Sequence, residues 1–340
     1  MSILIKTYMK EGILLSTLKK IVIALTVLVI GIPATAFGYF YFKLNSINEN
    51  NSDTDEILNN SKYEQVKGIT NILLVGIDAR DISQPSRSDA MMLLTLDTVH
   101  KSIKLTSFAR DSYVEIPGHG SEKLTHAYAY GGINLLLETI ENNFEVDIND
   151  YAIVNFFGFT DIIDTLGGVE IDVKQNEINE LNTYIVNGQS IDKVAEGEQV
   201  KTITEPGVQT LNGYQALAYA RIRYNDSAFG RDNRQRDIIE ATLQKMSSVS
   251  IFKFNQILDS ILPSLKTNMN PSRILKLGTT VLSINNFNIK QLEFPIPYEP
   301  YSNGGILDNK GWVLQFDSDK NLPILHDFIF NDIQFNEVED

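Results

Sequence analysis

An α/β domain carried behind one N-terminal membrane helix is the architecture this sequence predicts. Three features point to it. Residues 21–42 (IVIALTVLVIGIPATAFGYFYF) hold no charge and have the length a helix needs to cross a bilayer. Residues 71–77 (NILLVGI) form a short continuous apolar run, as expected of a strand buried on both faces. Residues 131–143 instead place Ile133, Leu136, Leu137 and Ile140 on one face of a helix.

Lys6, Lys10, Lys19 and Lys20 precede the first apolar run, and after Lys43 the chain turns polar and then acidic through Glu56. A lysine-rich flank stays cytoplasmic, so the C-terminal bulk is expected outside. Tyr39, Phe40, Tyr41 and Phe42 suit an aromatic belt at the outer interface. The expected organisation is a cytoplasmic segment 1–20, a transmembrane helix 21–42, a polar linker 43–67 and an extracytoplasmic domain 68–340. The linker is too poor in apolar residues to form a core. A cleaved signal peptide is the rival reading, because Ala34-Thr35-Ala36 resembles a cleavage site. The apolar run exceeds the ~7–15 residues of a signal core and continues past that site.

In the external domain, residues 71–77 end at Asp78, the strand end where α/β sheets bind ligands. Arg87, Ser88 and Asp89 close the following loop, ahead of a second apolar run at 91–96. Residues 101–108 alternate as a third strand, with 97–100 as its hairpin turn, and deliver Arg110 and Asp111. Gly131-Gly132 opens the helix to about residue 143. A strand at 151–156, a helix at 160–166 and a strand at 169–173 follow, the last after the Gly167-Gly168 turn. Residues 174–199 read as a polar insertion or long loop, and 200–204 as a strand. Asn212 caps a helix to residue 219, and a further helix runs from near Gly230 to about residue 247. Helices over 251–265 and 272–284 and a late strand at 291–295 complete the expectation. Residues 312–316 and 324–330 carry no usable motif.

With 340 residues and 43% hydrophobic content the chain can bury a sizeable core. A net charge of -14 argues against a nucleic-acid binder. The absence of cysteine excludes thiol catalysis, disulfides and cysteine-ligated metals. The four histidines form no HExxH, and neither GxSxG nor a P-loop is present, so zinc hydrolase, serine hydrolase and ATPase lose their usual support.

Arginine is the informative residue. Apart from Arg273, every arginine lies in one of three clusters: Arg80 with Arg87, Arg110, and Arg221 to Arg236. Solubility is served equally by lysine, whereas gripping phosphate oxygens favours the planar guanidinium fork. The clusters therefore read as parts of one anion site. Arg221 and Arg223 share a face if extended. Arg231, Arg234 and Gln235, at i, i+3 and i+4, share one helical face. A surface ion-pair role for Arg221 and Arg223 is the alternative. Asp78 and Asp89 fit two roles, as ligands of a magnesium ion completed by phosphate oxygens, or as turn formers and ion-pair partners.

The segments NILLVGIDARD, RSDAMMLLTLD, ARDSYVEIPG, KLTHAYAYGG, DTLGGVEIDV, QTLNGYQALAYARIRY and GRDNRQ resemble, in order, those of the LytR-CpsA-Psr family, over roughly residues 71–239. The resemblance implies a central mixed β-sheet between helical layers, with an apolar tunnel for a polyprenyl tail. Residues 151–166 and 238–265 supply apolar side chains that suit such a tunnel or an ordinary core. The implied activity is phosphotransfer of an anionic glycopolymer (teichoic acid, capsular or related polysaccharide) from an undecaprenyl-pyrophosphate carrier to peptidoglycan. Mg²⁺, or Mn²⁺ in its place, is the implied cofactor, held by Asp78 and Asp89. The pyrophosphate arginines fall on Arg87, Arg110, Arg221, Arg223, Arg231 and Arg234, with Gln235 as a further contact. Arg110, Asp89, Arg87 and Arg223 are the expected catalytic set. Phe108-Ala109 departs from the family pattern, in which many members place proline before the Arg-Asp pair.

The expected partners are thus the lipid-linked polymer, peptidoglycan and the membrane of a Gram-positive-type envelope, with no nucleic acid. Two other readings stand beside it. One is a non-catalytic lipid-pyrophosphate binder that regulates polymer export or chain length. The other is a membrane-bound transcriptional attenuator, which the membrane helix and the pI of about 4.8 oppose. Hydrolysis of the lipid pyrophosphate is an expected side activity.

Overall fold

The computed structural model describes residues 41–43, 45, 61–63, 65–77, 79, 82, 84, 86–187, 200–223, 228–246, 256, 259–260, 264–286 and 288–335. Its centre is a six-stranded mixed sheet, in the order β10-β3-β2-β1-β6-β9. The strands are β1 (Ile69–Ile77), β2 (Ser88–Asp97), β3 (Ser102–Phe108), β6 (Asp150–Asn155), β9 (Leu265–Thr267) and β10 (Ile289–Phe294). β1, β2 and β3 form an antiparallel meander, while β6 joins β1 and β10 joins β3 in parallel. Hairpins β4–β5 (Tyr113–Ile116, Gly120–Lys123), β7–β8 (Val169–Val173, Gly207–Leu211) and β11–β12 (Ser302–Leu307, Gly311–Phe316) lie outside this sheet.

Side-chain alternation along the strands divides the core. On one face Leu73, Val75, Met91, Leu93 and Phe108 pack against helix α1 (Thr125–Phe144) through Leu136, Leu137 and Ile140, and against helix α7 (Ser318–Phe330) through Leu325 and Phe328. On the other face Ile72, Leu74, Met92, Leu96 and Leu105 meet helix α5 (Ala228–Met246) at Ile239 and Leu243 and helix α6 (Pro271–Ile284) at Leu277 and Ile284. The sheet between helical layers thus has the expected form. Helices α2 (Phe156–Leu166), α3 (Ile178–Asn187) and α4 (Gly213–Tyr219) build a satellite core with β7 and β8. α4 carries a full capping box, with Asn212 and Gln215 exchanging side-chain and backbone bonds, so the expected cap is present.

Several expected boundaries move. Phe156 starts α2 rather than ending β6, because the Asn155 side chain accepts from the Gly158 amide and caps the helix. α1 begins at Thr125, six residues before the glycine pair, and kinks at Gly131 and Gly132. The polar segment after residue 174 contains α3, buried through Ile178, Leu181 and Ile185. Residues 200–204 form no strand; β8 comes later, at Gly207–Leu211. Residues 312–316 and 324–330 lie in β12 and α7. The expected membrane span, residues 21–42, lies outside the described residues apart from Tyr41 and Phe42. Among the described residues no helix is long and apolar enough to cross a membrane. Most of 251–265 also lies outside them, and Leu265 opens β9.

Two buried ionic groups tie the layers together. Lys104 on β3 is fully buried; its Nζ donates to Asp97 Oδ2 at 2.7 Å and to the Ile329 carbonyl at 2.8 Å, and lies 3.3 Å from Asp332 Oδ1. Glu141 on α1 is buried, and its Oε1 accepts from the Ile148 amide at 3.0 Å. Burial pushes the Glu141 carboxyl up to about 7 from an ordinary 4.5, against the opposing Ile148 bond. The folded chain therefore keeps a proton that the unfolded chain releases. The stabilisation from Glu141 is full below pH 4.5 and is lost as pH rises through about 7. Glu141→Gln is expected to flatten the decline of the thermal midpoint over that window. An unchanged slope in a pH series of melting curves would refute this.

Candidate active site

The meander ends at one edge of the sheet, and the chain there is shaped by three local features. The β1–β2 register shifts between Gly76 and Ile77, a bulge that turns the end of β1. At the end of β3 the Ala109 amide donates to the Phe294 carbonyl at 2.9 Å, extending the β3–β10 pairing by one bond. A proline in place of Ala109 would lack that donor, so the Phe108-Ala109 variation has a structural counterpart. The Thr125 amide then donates to the Arg110 carbonyl at 3.0 Å and its hydroxyl to the Ser88 carbonyl at 2.7 Å. The first turn of α1 is thereby bound to both strand ends.

A cavity of about 600 Å³ opens on the α5 face of the sheet. Leu74, Gly76, Ala90, Met92, Ala152 and Val154 form its floor. Phe156, Phe159 and Ile162 of α2, Leu217 of α4, Ile239 of α5 and Leu265 of β9 form apolar walls, and Tyr184 and Asn187 of α3 a polar one. The floor is low because it is made of small residues: a Cβ on Gly76 would already approach Ala90 Cβ to 3.2 Å. At the rim the lining changes to Asp89, Arg221, Arg223, Arg231 and Gln235. Arg231, Gln235 and Ile239 follow one i, i+4, i+8 stripe of α5.

Among the described residues the rim gathers Arg110, Arg221, Arg223 and Arg231 around Asp89. Arg110 Nη1 donates to Asp89 Oδ1 at 2.6 Å, and its Nε lies 3.4 Å from Asp111 Oδ2. Burial disfavours the Arg110 charge, but Asp89 and Asp111 outweigh it and raise the pKa. Arg231 turns to Asp232 Oδ1, with Nη2 at 2.8 Å. For Arg223 the balance falls the other way: partial burial, then the charges of Arg110 and Arg231, push its pKa down, and Asp89 only partly offsets them. The backbone amide of Arg223 is fixed by Glu180 Oε1 at 2.6 Å. The Arg221 guanidinium lies 4.1 Å from the centre of the Phe156 ring, a cation–π contact joining rim to wall. A dense anion bound here would relieve the mutual repulsion of Arg110, Arg223 and Arg231.

A second charged layer lies behind the rim. Arg236 Nε donates to Gln291 Oε1 at 3.1 Å and Nη2 lies 3.4 Å from Glu293 Oε2 on β10. Burial pushes Glu293 up to about 8, and burial raises Asp232 against the pull of Arg231, Arg236 and Arg110.

A sequence model of the LytR_cpsA_psr family matches residues 38–322. The chain belongs to the LytR-CpsA-Psr family. It is 33% identical over 244 residues to the polyisoprenyl-teichoic acid–peptidoglycan teichoic acid transferase TagT of Bacillus subtilis (strain 168), spanning 70% of this chain and 72% of that one. The transferase TagU of Halalkalibacterium halodurans is 32% identical over 289 residues, spanning 81% and 88%. Among solved structures, TagT bound to LI-WTA superposes with a TM-score of 0.64 at 27% identity, covering 80% of this chain and 95% of that one. YwtF (TagT) with bound octaprenyl pyrophosphate lipid gives 0.59 at 25% identity, covering 81% and 95%.

Of the residues the LytR-CpsA-Psr motifs single out, the structure gathers Asp89, Arg110, Arg221, Arg223, Arg231 and Gln235 at the cavity rim. Arg87 is exposed ahead of β2, close enough to His126 on α1 to act on its charge, and is not among the residues that line the cavity. Arg234 faces the other side of α5: its Nε donates to Glu177 Oε1 at 2.7 Å, beneath a separate polar depression with Tyr219 and Asp237. The three-residue step from Arg231 is enough to carry Arg234 into the next groove. Asp78 lies outside the described residues. Tyr184 and Asn187 had no sequence signal beyond the apolar spacing of Ile178, Leu181 and Ile185, which marks α3 as a helix.

Proposed function

We propose that this chain is an extracytoplasmic phosphotransferase that moves an anionic glycopolymer from an undecaprenyl-pyrophosphate carrier onto peptidoglycan through a phosphodiester. The observation that carries it is the juxtaposition of an apolar cavity with an arginine rim. That combination suits a ligand with a long apolar tail and a densely charged head, and the names and bound lipids of the relatives support the same class.

The tail lies in the cavity and the pyrophosphate on Arg110, Arg221, Arg223 and Arg231, with Gln235 as a further contact. The acceptor hydroxyl oxygen attacks the polymer-linked phosphorus. The bond from that phosphorus to the bridging oxygen breaks, the lipid phosphate leaves, and the hydroxyl proton is lost to a base. Most of the catalysis is positioning and charge stabilisation, since both phosphates gain or spread negative charge. Among the described residues the strongest charges on Arg223 are those of Arg110 and Arg231, so a bound anion would favour its guanidinium.

A magnesium ion fits this arrangement. Among the described residues only Oδ1 of Asp89 is engaged, by Arg110. No group of three or more His, Asp or Glu there holds a metal unaided. Mg²⁺ needs only one or two carboxylates when phosphates and water complete its shell. Asp89 would hold it together with Asp78, and it would supply neutralisation of pyrophosphate charge; Mn²⁺ would substitute. The test is a reaction of the full-length chain with a polyprenyl-pyrophosphate-linked oligosaccharide and peptidoglycan fragments, followed by mass spectrometry. A phosphodiester conjugate is expected, lost in EDTA and restored by Mg²⁺. Conjugate formation that persists in EDTA would refute the metal. Lipid binding without conjugate, across a panel of polymers, would favour the binder reading.

Two further expectations belong to this proposal. Residues 21–42 anchor the domain, so a C-terminal reporter fusion should be active only outside the cytoplasm; cytoplasmic activity would overturn this placement. Ala90→Leu should fill the floor of the cavity and raise KM for a long-tailed donor about tenfold. A short-tailed analogue should be affected less. Equal effects on both would argue against the tail lying there.

A further inference from the structure

We infer that a shelf formed by His119, Tyr130 and His126 receives the acceptor glycan strand, an inference that rests on the transferase reading above. The His119 ring stacks on Tyr130 with centroids 4.6 Å apart and 21° between the planes, and His126 leans on the same ring at 5.7 Å. Tyr130 is still 46% exposed. Aromatic rings already held by one another lose little freedom when a ligand arrives. A flat ring suits the C–H-lined face of a pyranose, and the polar tips of tyrosine and histidine suit its hydroxyls. Charged groups surround the rings. Lys310 Nζ lies 2.7 Å from Glu122 Oε2, near enough to Tyr130 to be influenced by it, and His126 Nδ1 lies 3.5 Å from Glu122 Oε1.

The backbone holds the shelf out from the helix. Gly131 (φ -144°, ψ 20°) and Gly132 (φ 64°, ψ -154°) break α1 immediately after Tyr130. A Cβ on Gly131 would sit 2.6 Å from Leu135 Cβ, and the positive φ of Gly132 disfavours any other residue. The KLTHAYAYGG segment thus forms a separate turn, anchored by Thr125 to the strand ends that carry Arg110 and Asp89.

The position of the shelf selects the acceptor rather than the donor. The cavity lies on the α5 face of the sheet, while α1 packs on the opposite face. An in-line displacement places the entering and leaving oxygens on opposite sides of phosphorus. The lipid phosphate departs on the cavity side, so the hydroxyl enters from the α1 side, where the shelf stands beside Arg87.

The test uses the full-length chain in detergent, a polyprenyl-pyrophosphate-linked oligosaccharide as donor and un-crosslinked peptidoglycan glycan strands as acceptor. Tyr130→Ala is expected to raise KM for the glycan strands about tenfold, with KM for the donor unchanged. Tyr130→Phe should retain most of the acceptor affinity, and His119→Ala, at an exposed position, should reproduce the effect of Tyr130→Ala. An unchanged acceptor KM in both alanine variants overturns the inference, as does a rise confined to the donor KM, which would assign the shelf to the donor polymer. If the wild-type chain forms no conjugate, it is the transferase reading that fails; the shelf is judged only against a working wild type.

Discussion

Replacing Arg110 by alanine is expected to slow polymer transfer about a hundred- to a thousandfold, the usual effect of losing one preorganised charge donor. Arg110 stands at the exit of β3 with its guanidinium between Asp89 and Asp111, and its charge bears directly on Arg223. Its removal would take from Asp89 the guanidinium that bonds its Oδ1 and leave the rim with one fewer arm for the pyrophosphate. The loss should fall on kcat more than on KM, because charge accumulates on the leaving phosphate. Arg110→Lys should recover little, since an ammonium cannot span two acceptors with a planar fork. The fold should survive, because the Arg110 side chain remains 22% exposed at the sheet edge. Wild-type turnover in a purified, folded Arg110→Ala chain would remove Arg110 from the chemistry.

The largest loss of stability is expected from Lys104→Ala, about 3–5 kcal/mol, the range for removing one partner of a buried ion pair. Lys104 and Asp97 are both fully buried, so Asp97 would lose its cation with no water to replace it. The Val99 and His100 amides, each 2.9 Å from Asp97 Oδ1, would hold part of that charge. The Ile329 carbonyl at the end of α7 would lose its donor as well. Lys104→Met, which refills the volume but not the charge, should be less harmful if the double variant with Asp97→Asn is made. Denaturant melts of the four chains form a cycle, and a coupling near zero would refute the pair as a stabilising unit. Burial raises the Asp97 pKa, but the bonds from Lys104 and His100 outweigh it and set it below the ordinary 3.8. In the native chain that contribution is present above about pH 3.8 and is lost as pH falls further.

Strands whose side chains announce burial on both sides were readable from sequence, as with NILLVGI in β1 and the run inside β2. So was the helix with an explicit cap at Asn212. α3 was hidden because its three buried apolar positions sit among asparagine, glutamate and threonine. The β11–β12 hairpin was hidden because SNGGIL has turn-like composition and becomes a strand only by pairing with GWVLQF. At the site, residue type was more legible than direction. The arginine clusters singled out Arg110, Arg221, Arg223 and Arg231, which the structure places together at the rim. Whether a side chain turns into the cavity or into the next groove depends on tens of degrees of helix phase, and Arg231 and Arg234 divide on that difference. The apolar stretch at 151–166 does line the cavity, through Ala152, Val154, Phe156, Phe159 and Ile162. The matching contribution of β2, through Ala90 and Met92, follows only from the pairing of β1 with β2.

The bond from the Ala109 amide to the Phe294 carbonyl also sets an order of events. β3 and β10 are parallel neighbours drawn from distant parts of the chain, and closing so long a loop is slow compared with forming the local meander. A chain that folds from β1 onward would complete β1, β2 and β3 early, yet the end of β3 that carries Arg110 would lack its bond to Phe294 until β10 docked. Transfer activity would then appear only in the last stage of folding. A half-emerged chain could hold its lipid-sized cavity open and remain silent toward the wall.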